Sequence, residues 1–374
     1  MREFMDGAEA ITRGALAAGC NFFAGYPITP ATPILLRMLR ELPKIGGVGI
    51  QGEDEIASIG MCIGAAMTGA KAMTATSGPG LSLYSENIGL GIMGEVPLVI
   101  VDVMRLGPAT GGATTVAQGD VQFLRWGTSG GFPVIALCPT NAAECYALTQ
   151  RAFNFAERFR TPVFIATDKE MISAQQSVET STFENIPIAD RARAPAEGEF
   201  VPYRVKRLAD TPLFSPIGGA HLVRFTTSMH GERGILTKKP SNVNKTSRHL
   251  YEKIEAHRAE FELVAFDAPE RAPTVVVSYG ITARSMIEAA RDARAAGKKV
   301  STLTVHSLWP VPARALRDAL RGATRVVVPE LNFGQYRLEI ERIALALDPR
   351  PQVIGVNRVD GELITPGEIE EQIL

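Results

Sequence analysis

The sequence predicts an α/β protein, with a doubly wound parallel sheet in the first half and a second, smaller α/β domain at the end. Three observations carry that expectation. Short apolar runs such as Val96 to Val103 alternate with amphipathic stretches of helical length. The runs are apolar on both parities, as in strands covered on both faces. The βαβα rhythm stops near residue 173 and resumes at Pro273. With 374 residues, 45% hydrophobic and 21% charged, the chain can bury a large core, and at about 100 to 200 residues per domain its length suggests two or three domains.

Taken in order, residues 6–19 read as a helix, with Asp6 as N-cap, Glu9 as capping-box partner and Gly19 at the stop. A strand at 21–26 is broken by Pro27-Ile28-Thr29-Pro30, and a helix follows over 31–42. Residues 55–69 form an apolar helix rich in small side chains, which lets other backbones approach closely. Next come a strand at 71–76, a tight loop Ser77-Gly78-Pro79-Gly80, a helix over 81–93 and a strand at 96–103. A strand at 134–137, a helix over 141–158 and a strand at 163–167 complete the unit. Residues 173–270 are Pro-rich and irregular, with one helix near 245–262, and are expected to wrap a neighbour or line a site. Strands at 275–280, 300–305, 325–328 and 352–356, with helices over 282–297, 312–320 and 335–347, make the last unit. The expected domains are therefore 1–172, 173–270 (a connector) and 271–374.

The charge balance, 39 Lys+Arg against 40 Asp+Glu, gives a net charge of −1 and argues against nucleic acid as a partner. Cys20, Cys62, Cys138 and Cys145 form no C-x-x-C pair and have no histidine at ligand spacing. They read as reduced, mostly buried thiols, with no metal held by this chain. The polar N-terminus lacks a signal h-region and no run is long enough to span a membrane, so the expectation is a cytoplasmic protein with no membrane partner.

Gly89-Leu90-Gly91-Ile92-Met93-Gly94 matches a dinucleotide fingerprint but closes a helix instead of opening one, so it reads as packing. Ser77-Gly78-Pro79-Gly80 lies between strand and helix, where an anion can be held. Glu53-Asp54-Glu55 precedes the small-residue helix and has two readings. One is capping and favourable interaction with the helix dipole. The other is a functional carboxylate at Glu55, held in a desolvated setting where it can share a proton with a cofactor nitrogen. Tyr26-Pro27-Ile28-Thr29-Pro30 and Arg105 both follow strands, at the carboxyl edge where doubly wound sheets bind ligands. There Thr29 offers a hydroxyl and backbone, and Arg105 offers a fork for a carboxylate. The same features also suit a rigid turn and a surface cation. His230 reads as a structural or solvated loop histidine.

Taken together, Y-P-I-T-P at 26–30, G-E-D-E-I-A-S-I-G at 52–60, T-A-T-S-G-P-G at 74–80, E-V-P-L-V-I-V-D-V at 95–103 and Q-G-D at 118–120 resemble the alpha subunit of 2-oxoacid:ferredoxin oxidoreductases, with the 2-oxoglutarate members the best match. Gly280, Pro310 and Leu363-Ile364-Thr365-Pro366 fit the family's second domain. The resemblance implies a pyrimidine-type thiamine diphosphate domain followed by a transketolase C-terminal-like domain. It implies that Glu55 hydrogen-bonds the aminopyrimidine, with Glu53 as a neighbouring rival. Tyr26, Pro27, Ile28, Gly78 and Gly80 would stand around the cofactor, and Thr29 and Arg105 would hold the 2-oxoacid.

The family's G-D-G motif for diphosphate and magnesium is missing, since Val121 follows Gly119-Asp120 and Asn141 falls at the wrong distance. The resemblance therefore implies a beta subunit that completes the thiamine diphosphate site and holds Mg2+, with [4Fe-4S] clusters on partner subunits, gamma and ferredoxin-like delta subunits among them. The gamma-type domain fused to some alpha chains is expected to be absent. The implied reaction is CoA-dependent oxidative decarboxylation of a 2-oxoacid, with electrons leaving to ferredoxin or another acceptor. 2-Oxoglutarate giving succinyl-CoA leads, and branched-chain, aromatic or pyruvate-type 2-oxoacids are the alternatives. A nicotinamide dehydrogenase and a scaffold subunit with a relict site are the rival classes.

Overall fold

The computed structural model describes residues 2–183, 186–270 and 272–373. Positions 1, 271 and 374, where three of the expected domain bounds fall, lie outside them. The first half runs β1 (Arg2–Met5), α1 (Gly7–Ala17), β2 (Phe22–Gly25), α2 (Thr32–Glu41), β3 (Val48–Gln51), α3 (Glu55–Met67), β4 (Ala72–Thr76) and α4 (Gly78–Met93). It continues with β5 (Leu98–Met104), α5 (Val121–Trp126), β6 (Ile135–Leu137), α6 (Ala142–Phe159), β7 (Pro162–Asp168), α7 (Lys169–Ser173) and β8 (Gln176–Glu179). After a long segment come α8 (Pro240–Glu255), β9 (Val264–Asp267), β10 (Thr274–Ser278), α9 (Thr282–Ala295), β11 (Val300–Val305) and β12 (Ser307–Trp309). The chain closes with α10 (Ala313–Leu320), β13 (Arg325–Glu330), α11 (Arg337–Ala344), β14 (Gln352–Asn357) and α12 (Pro366–Glu370).

The larger sheet has the order β12-β6-β7-β5-β4-β2-β3 and the smaller one β14-β13-β10-β11-β9. Pairing is parallel except at two edges, where β12 runs antiparallel to β6 and β9 antiparallel to β11. The edge strand β12 comes from the last third of the chain and completes the first sheet, so the two halves share a hydrogen-bonded ladder. Its three residues, between a histidine and a proline, carry no period that sequence reading detects. β1 and β8 pair as a separate ribbon that the hydrophobic pattern also missed, because each four-residue strand mixes polar and apolar residues without a period, although Met5 and Val178 are buried.

The central strand β5 explains the layering. Val99, Val101 and Val103 pack on one face of the sheet; Leu98, Ile100 and Met104 pack on the other, against α3 and α4. Asp102 shares the parity of that second face. Ser77-Gly78-Pro79-Gly80 is not a loop beyond its first residue: α4 begins at Gly78, with Ser77 at the cap position and Pro79 in the first turn, where its fixed φ and missing N–H are harmless. Gly91 and Gly94 of the misleading glycine pattern do pack closely. An added Cβ would lie 2.7 Å from Pro162 Cγ and 2.0 Å from Phe225 Cε2 respectively.

The long segment is pinned by buried charge. Its helix starts at Pro240, earlier than the pattern suggested, and its Lys253 and His249 meet Glu95 at 2.7 and 3.1 Å, all three almost fully buried. Burial pushes the Glu95 carboxyl up, but Lys253 and then His249 outweigh it and hold it well below the usual carboxylate range. Arg191 and Glu157 form a second buried pair at 2.6 Å, and Arg191 also donates to the Ala66 and Ala70 carbonyls. His230 is structural: it is buried, its Nε2 faces the Met93 carbonyl and its ring lies 4.0 Å from that of Tyr203. All four cysteines are free and buried, and burial pushes the Cys20 thiol up to about 12. Among the described residues, no helix is long and apolar enough to cross a membrane.

Candidate active site at the carboxyl edge

The acidic trio divides its work. Glu53 is exposed, and Asp54 caps α3 by accepting from the Ala57 N–H at 2.7 Å. Glu55, the first helical residue, is turned inward and only 7% exposed. Because Asp54 satisfies the helix terminus, the Glu55 carboxylate is not used as a cap, and among the described residues no donor hydrogen-bonds it. It lies against Gly80: an added Cβ there would stand 2.9 Å from Glu55 Oε1 and 2.1 Å from Thr76 Oγ1, so no other residue fits without displacement. Behind Thr76 on the same face, Thr74 Oγ1 and the Tyr84 hydroxyl are 2.7 Å apart, and burial pushes the Tyr84 phenol up. A buried, unpartnered carboxylate fits an aminopyrimidine bearing a proton or N–H.

Arg105 follows β5 and is 5% exposed. Its Nη1 donates to the Thr29 carbonyl and its Nη2 to the Thr110 carbonyl at 3.1 Å, while Nε–H is buried without an acceptor. The guanidinium was expected as a free fork; instead it staples the 26–30 loop to the loop after β5, with N–H groups to spare on both terminal nitrogens. Thr29 itself is exposed, as are Tyr26 and Pro27, with Ile28 half-buried. Tyr26, Pro27 and Ile28 share the Thr29 loop, and no hydrogen bond links their side chains to Glu55 or Arg105. The structure thus joins Arg105 to Thr29 and Glu55 to Gly80, and Gly78 connects the two groups through the first turn of α4, with its Cβ direction facing Arg105 Cγ at 4.0 Å.

Sequence reading passed over two ionisable residues here. Asp102 is fully buried and neither of its oxygens has a hydrogen-bond donor; Asp120 Oδ2 is likewise buried and unpartnered. Burial, then the Asp120 charge, pushes the Asp102 carboxyl well up, and the Gly78 amide, which points toward it without reaching hydrogen-bond geometry, eases the charge. Burial lifts Asp120 to about 6 against the pull of Arg105. The available signal was Asp102 itself, a carboxylate in a strand otherwise apolar on both faces. Arg105 and Asp120 line a cavity of about 400 Å³ closed on the far side by Leu331 and Phe333 of the second α/β unit.

A family model described as "Pyruvate flavodoxin/ferredoxin oxidoreductase, thiamine diP-bdg" matches residues 13–239, and one described as "Pyruvate:ferredoxin oxidoreductase core domain II" matches residues 272–369. The 2-oxoglutarate synthase subunit KorA of Methanocaldococcus jannaschii is 41% identical, with 100% of this chain and 99% of that protein covered. The protein of the same name from Methanothermobacter marburgensis is 37% identical, with 99% and 98% covered. A solved 2-oxoglutarate:ferredoxin oxidoreductase from Magnetococcus marinus, with 2-oxoglutarate, coenzyme A and succinyl-CoA bound, superposes with a TM-score of 0.92 at 31% identity. It is covered over 100% of this chain and 64% of its own, so this chain spans somewhat less than two thirds of that solved chain. With the fold, the edge geometry and both family models in agreement, the chain belongs to the 2-oxoacid:ferredoxin oxidoreductase family, as one of its alpha-type subunits.

Proposed function

We propose that this chain supplies the pyrimidine-binding half of a thiamine diphosphate site in an enzyme that converts 2-oxoglutarate, CoA and an oxidised acceptor to succinyl-CoA, CO2 and the reduced acceptor. The observation that carries the reading is Glu55, buried and unpartnered against Gly80. When bound, thiamine diphosphate supplies a thiazolium that accepts the electron pair released on decarboxylation.

The chain's own residues orient and hold. Glu55 accepts a hydrogen bond from the aminopyrimidine and fixes its protonation state. Tyr26, Pro27, Ile28, Gly78 and Gly80 would stand around the cofactor ring. Arg105, already fixed by the Thr29 and Thr110 carbonyls, turns its remaining N–H groups to the substrate carboxylate, and Thr29 offers its hydroxyl to the 2-oxo group. A guanidinium held before substrate arrives loses little entropy on binding it.

The missing G-D-G motif supports a beta subunit that grips the diphosphate and Mg2+, with [4Fe-4S] clusters on partner subunits passing electrons to ferredoxin or another acceptor. Residues 1–172 would form the pyrimidine-type domain, 173–270 the connector and 271–374 the transketolase C-terminal-like domain. Four free, buried thiols suit a reducing cytoplasm. The test is reconstitution with the partner subunits, thiamine diphosphate, Mg2+ and CoA, assayed against a panel of 2-oxoacids. The expected result is acceptor reduction fastest with 2-oxoglutarate; a preference for pyruvate or a branched-chain acid would overturn the substrate, and no reduction with any 2-oxoacid would overturn the function.

A further inference from the structure

Arg105 can serve as proposed only while the Thr110 carbonyl stays in place, and Thr110 stands on a segment with little around it. Residues 106–115 include Gly107, Gly111 and Gly112, and residues 107–111 are all exposed. Glycine permits tight turns but loses the most conformational freedom when it is fixed.

The segment closes on itself. Leu106 N–H donates to the Thr115 carbonyl at 3.0 Å, Gly112 N–H to the Leu106 carbonyl at 2.8 Å and Thr115 N–H to the Gly112 carbonyl at 3.0 Å. An ideal Cβ on Gly111 would stand 1.9 Å from the Leu106 carbonyl oxygen, and one on Gly112 would stand 2.6 Å from Thr115 Oγ1. These contacts make the segment one small body, but they do not fix where that body sits. At its tip the Thr110 carbonyl accepts from Arg105 Nη2 at 3.1 Å, and at its base Thr115 meets the second α/β unit.

The contact at the base is close. Gly361, in the loop between β14 and α12, has φ 88°, and its backbone lies against Thr115: an ideal Cβ would stand 2.2 Å from Thr115 Cγ2 and 3.7 Å from Thr115 Cβ. The loop is braced from behind. Arg358 bonds Asp360 at 3.1 Å, the Leu363 carbonyl at 2.9 Å and Glu368 of α12 at 3.1 Å, and Asp360 also accepts from Glu362 N–H at 3.0 Å.

We propose that Gly361 and Thr115 are a positioning pair for the 2-oxoacid: through their contact the second α/β unit seats residues 106–115, so that Thr110 holds the Arg105 guanidinium where the substrate carboxylate arrives. Both residues act through Arg105, whose role rests on the substrate reading above. The contact is one methyl group wide, so displacing that methyl displaces the segment, and a shift of about 1 Å at a binding group is enough to be read in kinetics.

The test uses the assembled heteromer with 2-oxoglutarate as the varied substrate. Gly361→Ala drives a methyl into Thr115, and Thr115→Ala removes the methyl that Gly361 abuts. KM should rise about tenfold in the first and about threefold in the second, each with a smaller change in kcat, the mark of lost binding and not of lost chemistry. The double variant moves the methyl from one side of the contact to the other, leaving two Cβ atoms 3.7 Å apart, in ordinary van der Waals contact. Its KM should return to within about twofold of wild type, because the two changes fall on residues in contact and do not add. Gly361→Ala also strains the backbone at positive φ, and Thr115→Ala alone carries the test if that variant fails to fold.

An unchanged KM in Thr115→Ala, or penalties that multiply in the double variant, would overturn the proposal. Arg105→Ala separates the two levels. If it leaves KM unchanged, the substrate reading fails, and amide hydrogen exchange still judges the contact. Residues 106–115 should then exchange faster in each single variant and at the wild-type rate in the double variant, and exchange unchanged in the single variants would overturn the positioning role.

Discussion

Gln118 and Asp120 stand two residues apart in one loop and show opposite ways of burying polar atoms. Gln118 is fully buried with every polar atom engaged: its side chain donates to the Tyr279 carbonyl and accepts from the Thr282 hydroxyl and the Leu331 N–H, and its backbone pairs with Leu331 and Asn332. Gly280, at φ 58°, leaves space for that amide, since a Cβ there would sit 2.5 Å from Gln118 Nε2. The edge two residues later is the reverse, with unpartnered oxygens on Asp102 and Asp120, an unpartnered Nε on Arg105 and unpartnered hydroxyls on Thr76 and Ser77. A satisfied buried network fixes one packing and does nothing else. Orphaned polar atoms in a native core call for an explanation, and a site built to hold something is one. The contrast separates the residue that docks the two α/β units from the residues around the proposed site.

The strongest way to break the comparison is at Glu55. Glu55→Ala should leave the heteromer assembled and lower turnover by about a hundredfold to ten-thousandfold; near-normal turnover in the reconstituted enzyme would remove Glu55 from the site. Next is Gly80→Ala, whose methyl must displace Glu55 or Thr76. Turnover should drop roughly a hundredfold, and thiamine diphosphate should bind more weakly in a direct titration.

On the satisfied side, Gln118→Leu strands the Thr282 hydroxyl and the Leu331 amide, which should cost about 2–3 kcal/mol in chemical denaturation with KM unmoved. A KM change without loss of stability would mean that Gln118 belongs to the site instead. Arg105→Lys keeps the charge but loses the fork, so KM for the 2-oxoacid should rise about tenfold, read from initial rates.

The smallest effect is expected at Asp168, raised to about 6 by burial, against the Met171 and Ile281 amides that it accepts. Its contribution to stability is fully present below the unfolded pKa and is lost as pH rises toward 6. Asp168→Asn keeps one acceptor for the Met171 amide and gives up the longer bond from Ile281, so it should lower Tm overall but flatten that pH-dependent loss by a few degrees or less.

Much of the fold could be read from the residues because period and punctuation are local. The parallel strands of both units, the Asp6 cap and the stop at Gly19 need no distant contact to be recognised. The misses share a cause. β12 has three residues and exists because β6 offers an open edge. β1 and β8 form because they find each other across 170 or so residues of chain. In the site, Glu55 and Gly80 carry a signal in sequence, as a small-residue helix with an acidic start and as a glycine after a strand. Asp102 and Asp120 are single carboxylates whose lack of a partner depends on what the rest of the chain brings alongside.

The sequence by itself determined the alternation of strands and helices, the edge of the sheet where ligands gather, and a family resemblance in motifs spread along the chain. Tertiary structure alone decided that Asp54 caps α3 so that Glu55 faces inward, that Arg105 is stapled to two carbonyls, and that Gln118 is satisfied while Asp120 is not. The reason is physical. Period and turn chemistry act between residues close in sequence, whereas desolvation and hydrogen-bond satisfaction depend on what the rest of the chain brings alongside.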